Sequence, residues 1–328
     1  MRSSSVLATA PSPSTERARV RSVNLGDRVW AVVTSVFGCS VLAVAGLVLL
    51  ELATRSGLAW KKLGVVQFLT SSDWDPVAGL FGAWPFVYGT LVTSAIAIAV
   101  AVPVAVGLGL FLSEMAPGAL RRPVAYAIEV LAAIPSVIFG LWGLFVLVPW
   151  VRGVIEPALA RTLGFLPLFQ GPPIGLGYLA AGLILAIMIL PTISSVSLEV
   201  LRTVPAPLKE GVLALGATRW ESVRMVVLPY ARAGIVGATL LGLGRALGET
   251  MAVTMVIGNT PEVHASLFAA GYSLPAVLAN EFSEAVTDLH VSALTALGLV
   301  LFGLAGVLNA LAHLLVAAVS RGPKGAPA

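Results

Sequence analysis

Arg245 and Glu249 are charged residues that stand four positions apart in an otherwise apolar run of the sequence. On a continuous helix this spacing predicts that their side chains share one face and lie close enough to pair. A charge at that depth in a membrane costs about 3 kcal/mol on insertion scales, so such residues are rarely idle. The neighbouring Gly244 and Gly248 form a GxxxG step, which is typical of helices that approach another helix closely. We therefore expect the charged pair to face a helix bundle or a pore.

Two interpretations of this pair stay open. In the first, Arg245 attracts an anion on a translocation path and Glu249 holds it neutral until it is needed, which makes both residues candidates for the substrate path. In the second, the pair is a buried fastener between subunits. The chemistry of the residues supports an anionic substrate only weakly, because the pair as a whole is neutral.

The second candidate site is the polar segment 210–229, which lies between two apolar runs. It opens with Glu210, has Gly216 six residues later and Val226 ten residues further on, and closes with Leu228-Pro229. A charged segment between membrane spans is best explained as a docking site for a soluble partner on the cytoplasmic face.

The same segment carries signals for helix ends. Pro205 and Pro207 are typical of a helix start, and Gly216 is typical of a helix stop. Thr218 followed by Glu221 fits a capping box. These signals predict two short helices with an elbow at Gly216-Ala217, the second of which should end near Pro229.

The composition predicts a polytopic membrane protein made of helices. The chain has 328 residues, of which 58% are hydrophobic and 11% charged, and its mean hydropathy is +0.95. Soluble domains average about 25% charged residues. Six apolar runs are long enough to cross a membrane: residues 29–50, 86–112, 124–150, 175–198, 233–257 and 291–319. We expect membrane lipid to surround the chain, and we do not expect it to bind nucleic acid.

The lysines and arginines predict the orientation of these spans. Of the 20 in the sequence, fourteen fall on the side of the termini and the 200–230 loop, five fall on the opposite side, and Arg245 lies within a span. The positive-inside rule then puts both termini and this loop in the cytoplasm. The predicted organisation is a disordered tail (1–27), a transmembrane domain (28–320) containing the 200–230 loop, and a C-terminal tail (321–328).

No catalytic, metal or cofactor site is expected. The three histidines lack the spacing of metal ligands. The sequence contains no GxxxxGK[ST] phosphate-binding loop, so we do not expect the chain to hydrolyse ATP itself.

The layout of residues 210–229 resembles the EAA loop in the permease subunits of bacterial ABC importers, although Gly211 and Val212 stand where alanines are usual. The resemblance implies the type I importer permease fold with six transmembrane helices in the bacterial plasma (inner) membrane. It also implies that the loop inserts into a cleft on a separate ATPase subunit. The residues to which this coupling role would fall are Glu210, Leu215, Gly216, Ala217, Trp220, Leu228 and Pro229.

Three further stretches narrow the resemblance. Residues 134–149 and 243–253 are similar to phosphate-importer permeases, and residues 273–285 are similar to the PstC type rather than the PstA type. The likeness covers roughly residues 80–310. It implies a path for inorganic phosphate that works by alternating access. The implied partners are a PstA-type permease, two copies of a PstB-type ATPase and an external PstS-type phosphate-binding protein.

Other functions remain as alternatives. One is a permease of the same kind for another oxyanion, such as sulfate or molybdate. A secondary transporter that uses Glu249 as a proton site would need no partner ATPase and would have inverted repeats. A regulatory scaffold that reports phosphate status would tolerate loss of the Arg245 charge.

Overall fold

The computed structural model describes residues 25–320, where the regular structure is helical apart from two isolated β-bridges. The helices are α1 (Leu25–Arg55), α2 (Gly57–Leu63), α3 (Val65–Thr70), α4 (Trp84–Met115), α5 (Gly118–Ala133), α6 (Ser136–Leu163), α7 (Tyr178–Arg202), α8 (Ala206–Ala214), α9 (Arg219–Leu247), α10 (Met251–Val256), α11 (Leu274–Glu281) and α12 (Asp288–Ser320). The predicted tails 1–27 and 321–328 lie outside this range, except that residues 25–27 form the first turn of α1.

Six helical stretches within residues 25–320 are long and apolar enough to cross a membrane, as the sequence predicts. They are Gly26–Leu63, Trp84–Met115, Ser136–Leu163, Tyr178–Arg202, Arg219–Leu247 and Asp288–Leu314. Three of them match the predicted spans closely, and the first starts near its predicted position but continues to Leu63 instead of residue 50. The third and fifth differ because each predicted span contains a break in the helix.

The break in the third predicted span, 124–150, lies at Ile134-Pro135. Helix α5 ends at Ala133, Ile134 has an extended backbone (ψ 128°), and α6 starts at Ser136. A proline disfavours helical backbone at the residue before it and supplies no N–H for the helix ladder. The span is therefore two helices, and the second continues past Trp150 to Leu163.

Internal packing divides the chain into two units, Met1–Glu51 and Leu52–Ala328. The described part of the first unit is the helical stretch 25–51. The second unit holds all the remaining helices and both candidate sites.

Close contacts at glycines define how α4, α7 and α9 pack. A Cβ atom at Gly109 near the end of α4 would lie 3.3 Å from Leu201 near the end of α7, whereas one at Gly242 near the end of α9 would lie 2.6 Å from Ile193. Gly234, earlier in α9, meets Val200. Helices α4 and α7 therefore run parallel and α9 runs antiparallel to them. The C-terminal ends of α4 and α7 and the N-terminal end of α9 share one face.

The opposite face is closed by the segments before α4 and after α10. Ser292 of α12 donates a hydrogen bond to the carbonyl of Arg55 (2.8 Å) and accepts one from the N–H of Ala59 (3.0 Å). The N–H of Leu274 donates to Thr90 Oγ1 (2.9 Å). These bonds join the start of α12 to the end of α1 and to α2, and the start of α11 to the start of α4.

We predict that Gly89→Ala lowers the thermal stability of the detergent-solubilised protein. A Cβ atom at Gly89 would collide with the backbone carbonyl oxygen of Tyr272, and overpacking of this kind costs about 1–3 kcal/mol. Gly107→Ala, also in α4, is the matched control because nothing lies within 4 Å of its added methyl group. The midpoint of thermal denaturation, followed by tryptophan fluorescence, should fall for Gly89→Ala and not for Gly107→Ala. Equal midpoints for the two variants would contradict the close approach of α4 to the segment around Tyr272.

Candidate translocation and docking sites

The fifth predicted span, 233–257, is interrupted beside the charged pair. Helix α9 ends at Leu247, Gly248 is its C-cap, and α10 starts at Met251. Glycine is a weak helix former. The carboxylate of Glu249 accepts a hydrogen bond from the N–H of Ala252 (Oε1 to N, 3.3 Å) in the first turn of α10. Glu249 thus lies in the break, where its side chain stabilises the start of the next helix.

The expected pairing of Arg245 with Glu249 is wrong for the chain as folded. No salt bridge joins them within residues 25–320. The helix on which their spacing was counted stops between them, so the two side chains are not on neighbouring turns of one helix. The two residues remain close in sequence at one break, Arg245 in the last turn of α9 and Glu249 after it.

Arg245 lies on a face of α9 that the other described residues of 52–320 leave uncovered. Arg245 is exposed, while Ala246 and Leu247 beside it are buried. Leu241 on this face is 58% exposed, and a Cβ atom at Gly237 or Gly244 would touch nothing within 4 Å. A guanidinium group in a span is too costly to leave in lipid. This face is therefore suited to line a polar path or to meet another subunit.

The two breaks meet in the same part of the structure. Helix α10 packs on the beginning of α6, where a Cβ atom at Gly140 would lie 3.1 Å from the Cα of Ala252 and 2.6 Å from the sulfur of Met255. No side chain caps the N-terminus of α6. Non-helical backbone at membrane depth is tolerated only where protein buries it or where it lines a cavity. Hydropathy did not reveal this meeting of broken helices, although the residue before Pro135 carried a signal for one break.

The predicted elbow of the polar segment is confirmed. Helix α8 ends at Ala214, and Gly216 has φ +93°, a conformation that glycine adopts at little cost. Thr218 and Glu221 form the predicted capping box: the N–H of Thr218 donates to Glu221 Oε2 (2.7 Å), and the N–H of Glu221 donates to Thr218 Oγ1 (3.3 Å). The start of α9 is therefore fixed by its own sequence.

The predicted end of the second helix near Pro229 is wrong. Helix α9 continues through Pro229 to Leu247, after a π-type turn at Val223–Val227. A proline lacks the N–H for the usual bond and crowds the carbonyl four residues before it. The wider turn before Leu228 relieves this conflict, so the docking segment joins the fifth span as one continuous helix.

The proposed docking residues divide into exposed and packed ones. Leu215 is 88% exposed and Trp220 is 57% exposed, while Glu210, Gly216 and Pro229 are also exposed. Ala217 is half-buried. Exposed apolar side chains clustered beside an elbow are typical of an interaction surface.

Leu228, by contrast, is half-buried and packs against the cluster beneath the loop, which contains Leu201, Val204, Val223, Val227 and Ala231. This packing anchors the loop to the helix ends beneath it. The ends of α4, α7 and α9 meet at this cluster, because Leu110 of α4 also packs against it.

A bundle of membrane-crossing helices, two of which are broken, with a structured helical loop at one face is the architecture of a class of transport proteins, the permease subunits of importers. Residues 105–324 match the family described as "Binding-protein-dependent transport system inner membrane component", and the chain belongs to this family.

Relatives along almost the whole chain carry a more specific name, "Phosphate transport system permease protein PstC". The one from Mesorhizobium japonicum is 46% identical over 304 residues, covering 92% of this chain and 93% of the relative. The one from Xylella fastidiosa is 49% identical over 260 residues (78% and 80%), and the one from Haemophilus influenzae is 46% identical over 287 residues (86% and 90%).

Solved structures support the same fold. A chain of a bacterial ABC transporter for the acidic polysaccharide alginate matches with a TM-score of 0.57 at 17% identity, over 88% of this chain and 98% of that one. A chain of the MetNI methionine ABC transporter, in an inward-facing crystal form, matches with a TM-score of 0.53 at 21% identity, over 75% and 99%. At these identities the match establishes the type I importer permease fold alone.

Proposed function

We propose that this chain is the PstC-type permease subunit of an ATP-driven importer of inorganic phosphate. The observation that carries the proposal is the 46% identity with a phosphate transport permease over 92% of the chain. The mid-span break next to Arg245 supports it, because an arginine beside irregular backbone suits an anion that crosses the membrane. The relatives described above are phosphate permeases, so they do not favour the alternative of a sulfate or molybdate permease.

Arg245 is the substrate-path cation in this proposal. It lies on the uncovered face of α9, so a homologous PstA-type permease that meets this face completes the path. Glu249 keeps α10 in place through its bond to Ala252 and stands beside the path without neutralising Arg245 directly.

In this proposal a separate ATPase subunit supplies the energy for transport and acts on the docking loop. Two copies of a PstB-type ATPase dock beneath the permeases, and one of them receives Leu215, Trp220 and the elbow at Gly216-Ala217. The permease itself hydrolyses no ATP. Closure of the ATPases moves α8, and the continuous helix α9 carries that movement to the break at Gly248. An external PstS-type protein delivers phosphate to the opposite face.

The face that holds the docking loop is the cytoplasmic one in this proposal. Seven arginines and lysines among the described residues support it: Arg121, Arg122, Arg202, Lys209, Arg219, Arg224 and Arg232. Both termini then lie in the cytoplasm, and residues 257–287 face outward.

Topology can be tested with a membrane-impermeant, cysteine-reactive label applied to intact cells. The chain has one cysteine, Cys39, which is first replaced by alanine. We predict that the label modifies Glu262→Cys and Asn280→Cys but modifies Thr218→Cys only after the membrane is permeabilised. If Thr218→Cys alone were labelled in intact cells, the opposite orientation would be correct.

The partners can be tested by purification in mild detergent. A tagged copy of the chain, expressed with a PstA-type permease, a PstB-type ATPase and a PstS-type binding protein, should recover the second permease and the ATPase. The variant Leu215→Glu, Trp220→Glu should keep the second permease and lose the ATPase, because both changes put charge on the exposed docking surface. Recovery of the chain without any ATPase would contradict the proposal and favour a secondary transporter.

A further inference from the structure

An ion pair between Lys209 and Glu114 joins α8, the docking helix at the start of the docking loop, to the end of the membrane helix α4. Lys209 Nζ lies 2.8 Å from Glu114 Oε1, although the residues are 95 positions apart in the chain. The two side chains are only 22% and 17% exposed. A pair that is largely withdrawn from water is screened less by salt than a surface pair.

Helix α8 has little else to hold it in place. None of its side chains is buried. The cluster beneath the loop belongs to the ends of α4, α7 and α9 and contains no residue of α8. Within residues 25–320, Lys209 is the side chain of α8 that forms a polar bond with another helix. The chain on either side of α8 bends at Pro205 and at Gly216.

The end of α4 that holds Glu114 connects with the rest of the bundle. Glu114 lies in a π-type turn, Phe111–Met115, that closes α4. The guanidinium of Arg121 in α5 donates to the carbonyl of the neighbouring Ser113 (3.3 Å). Gly109, one turn earlier, packs against Leu201 of α7. A push on Glu114 therefore reaches α4, α5 and α7 together.

We propose that the Lys209–Glu114 ion pair is a strut that transmits the movement of the docking helix to α4, in parallel with the continuous path through α9. This inference rests on the proposed function. Lys209 and Glu114 are positioning residues in it, since they bind each other and would act on the translocation path only through α4.

The test compares charge removal with charge exchange in the complete importer, reconstituted in lipid vesicles with radiolabelled phosphate. Lys209→Gln and Glu114→Gln should each lower the phosphate transported per ATP hydrolysed by about tenfold, a size typical of coupling between sites. The exchange Lys209→Glu with Glu114→Lys restores an ion pair and should return the ratio to within about twofold of wild type. Arg122→Gln, which removes an exposed charge from the same face, is the control that should change nothing.

A second measurement separates a strut from a fastener of the fold. In the Cys39→Ala background, Lys209→Cys with Glu114→Cys removes the pair, and a short bifunctional maleimide then links α8 to α4. If the ion pair acts as a strut, the phosphate transported per ATP hydrolysed should be low before cross-linking and should recover after it. Wild-type coupling in the single variants, or loss of transport on cross-linking, would overturn the inference. If the wild-type importer moved no phosphate, the proposed function would fail instead.

Discussion

Changing Arg245 to glutamine should abolish phosphate uptake while the importer still assembles. The guanidinium lies on the uncovered face of α9 and forms no salt bridge within residues 25–320. Within those residues, its removal therefore leaves no acidic side chain without a partner. Loss of one member of a desolvated charge contact costs about 3–5 kcal/mol, so uptake should fall by at least about 100-fold.

Conservative and double variants distinguish the substrate path from a fastener. Arg245→Lys keeps the positive charge and should retain part of the uptake. Glu249→Gln keeps an acceptor oxygen for the N–H of Ala252, so the start of α10 should survive. If the two residues fastened subunits to each other, Arg245→Gln with Glu249→Gln would restore both assembly and transport. The path interpretation predicts restored or unchanged assembly with uptake still lost, and full uptake in the double variant would refute it.

The second large effect is expected at the elbow of the docking loop. Gly216→Val should uncouple ATP hydrolysis from transport, because a β-branched residue at φ +93° is a genuine outlier that the elbow must relieve by moving. Nothing lies within 4 Å of an added Cβ, so the effect acts through the backbone rather than through crowding. Such strain costs about 1–3 kcal/mol, and phosphate moved per ATP should fall about tenfold or more.

A matched pair of alanine variants isolates the backbone effect. Gly216→Ala and Gly211→Ala add the same methyl group to exposed sites with open space, but only Gly216 has a positive φ. Coupling should fall in the first and stay at the wild-type value in the second. Membrane insertion, measured by the amount of protein in the membrane fraction, should be unchanged in both. Wild-type transport by Gly216→Val would show that the elbow has no part in coupling.

Much of this architecture can be predicted from the sequence because it depends on local patterns. Six apolar runs of sufficient length give six membrane-crossing helices. The capping box at Thr218 and Glu221 and the left-handed glycine at position 216 also follow from residues close together in the chain.

The helix breaks are harder to predict because hydropathy averages over them. Residues 134–135 and 248–250 are flanked by apolar residues, so the runs look continuous. Only backbone chemistry indicates the interruptions, through the residue before Pro135 and the weak helix propensity of Gly248. The pairing of Arg245 with Glu249 was predicted on an unbroken helix, and it failed for that reason.

The ion pair between Lys209 and Glu114 lies beyond prediction from local pattern. Its partners come from helices separated by two membrane spans, and they meet only when α4 and α7 run parallel and end at the same face. From the sequence alone, each of the two residues has many residues of opposite charge as possible partners.

Uptake of radiolabelled phosphate into lipid vesicles that contain the complete importer tests the central claim most directly. The chain would be reconstituted with its second permease and the ATPase, with ATP supplied at the cytoplasmic face and the binding protein on the other. We predict uptake that requires both ATP and the binding protein and that excess sulfate or molybdate leaves unchanged. Uptake driven by a pH gradient without the ATPase, or ATP-dependent uptake of sulfate or molybdate in place of phosphate, would contradict the account.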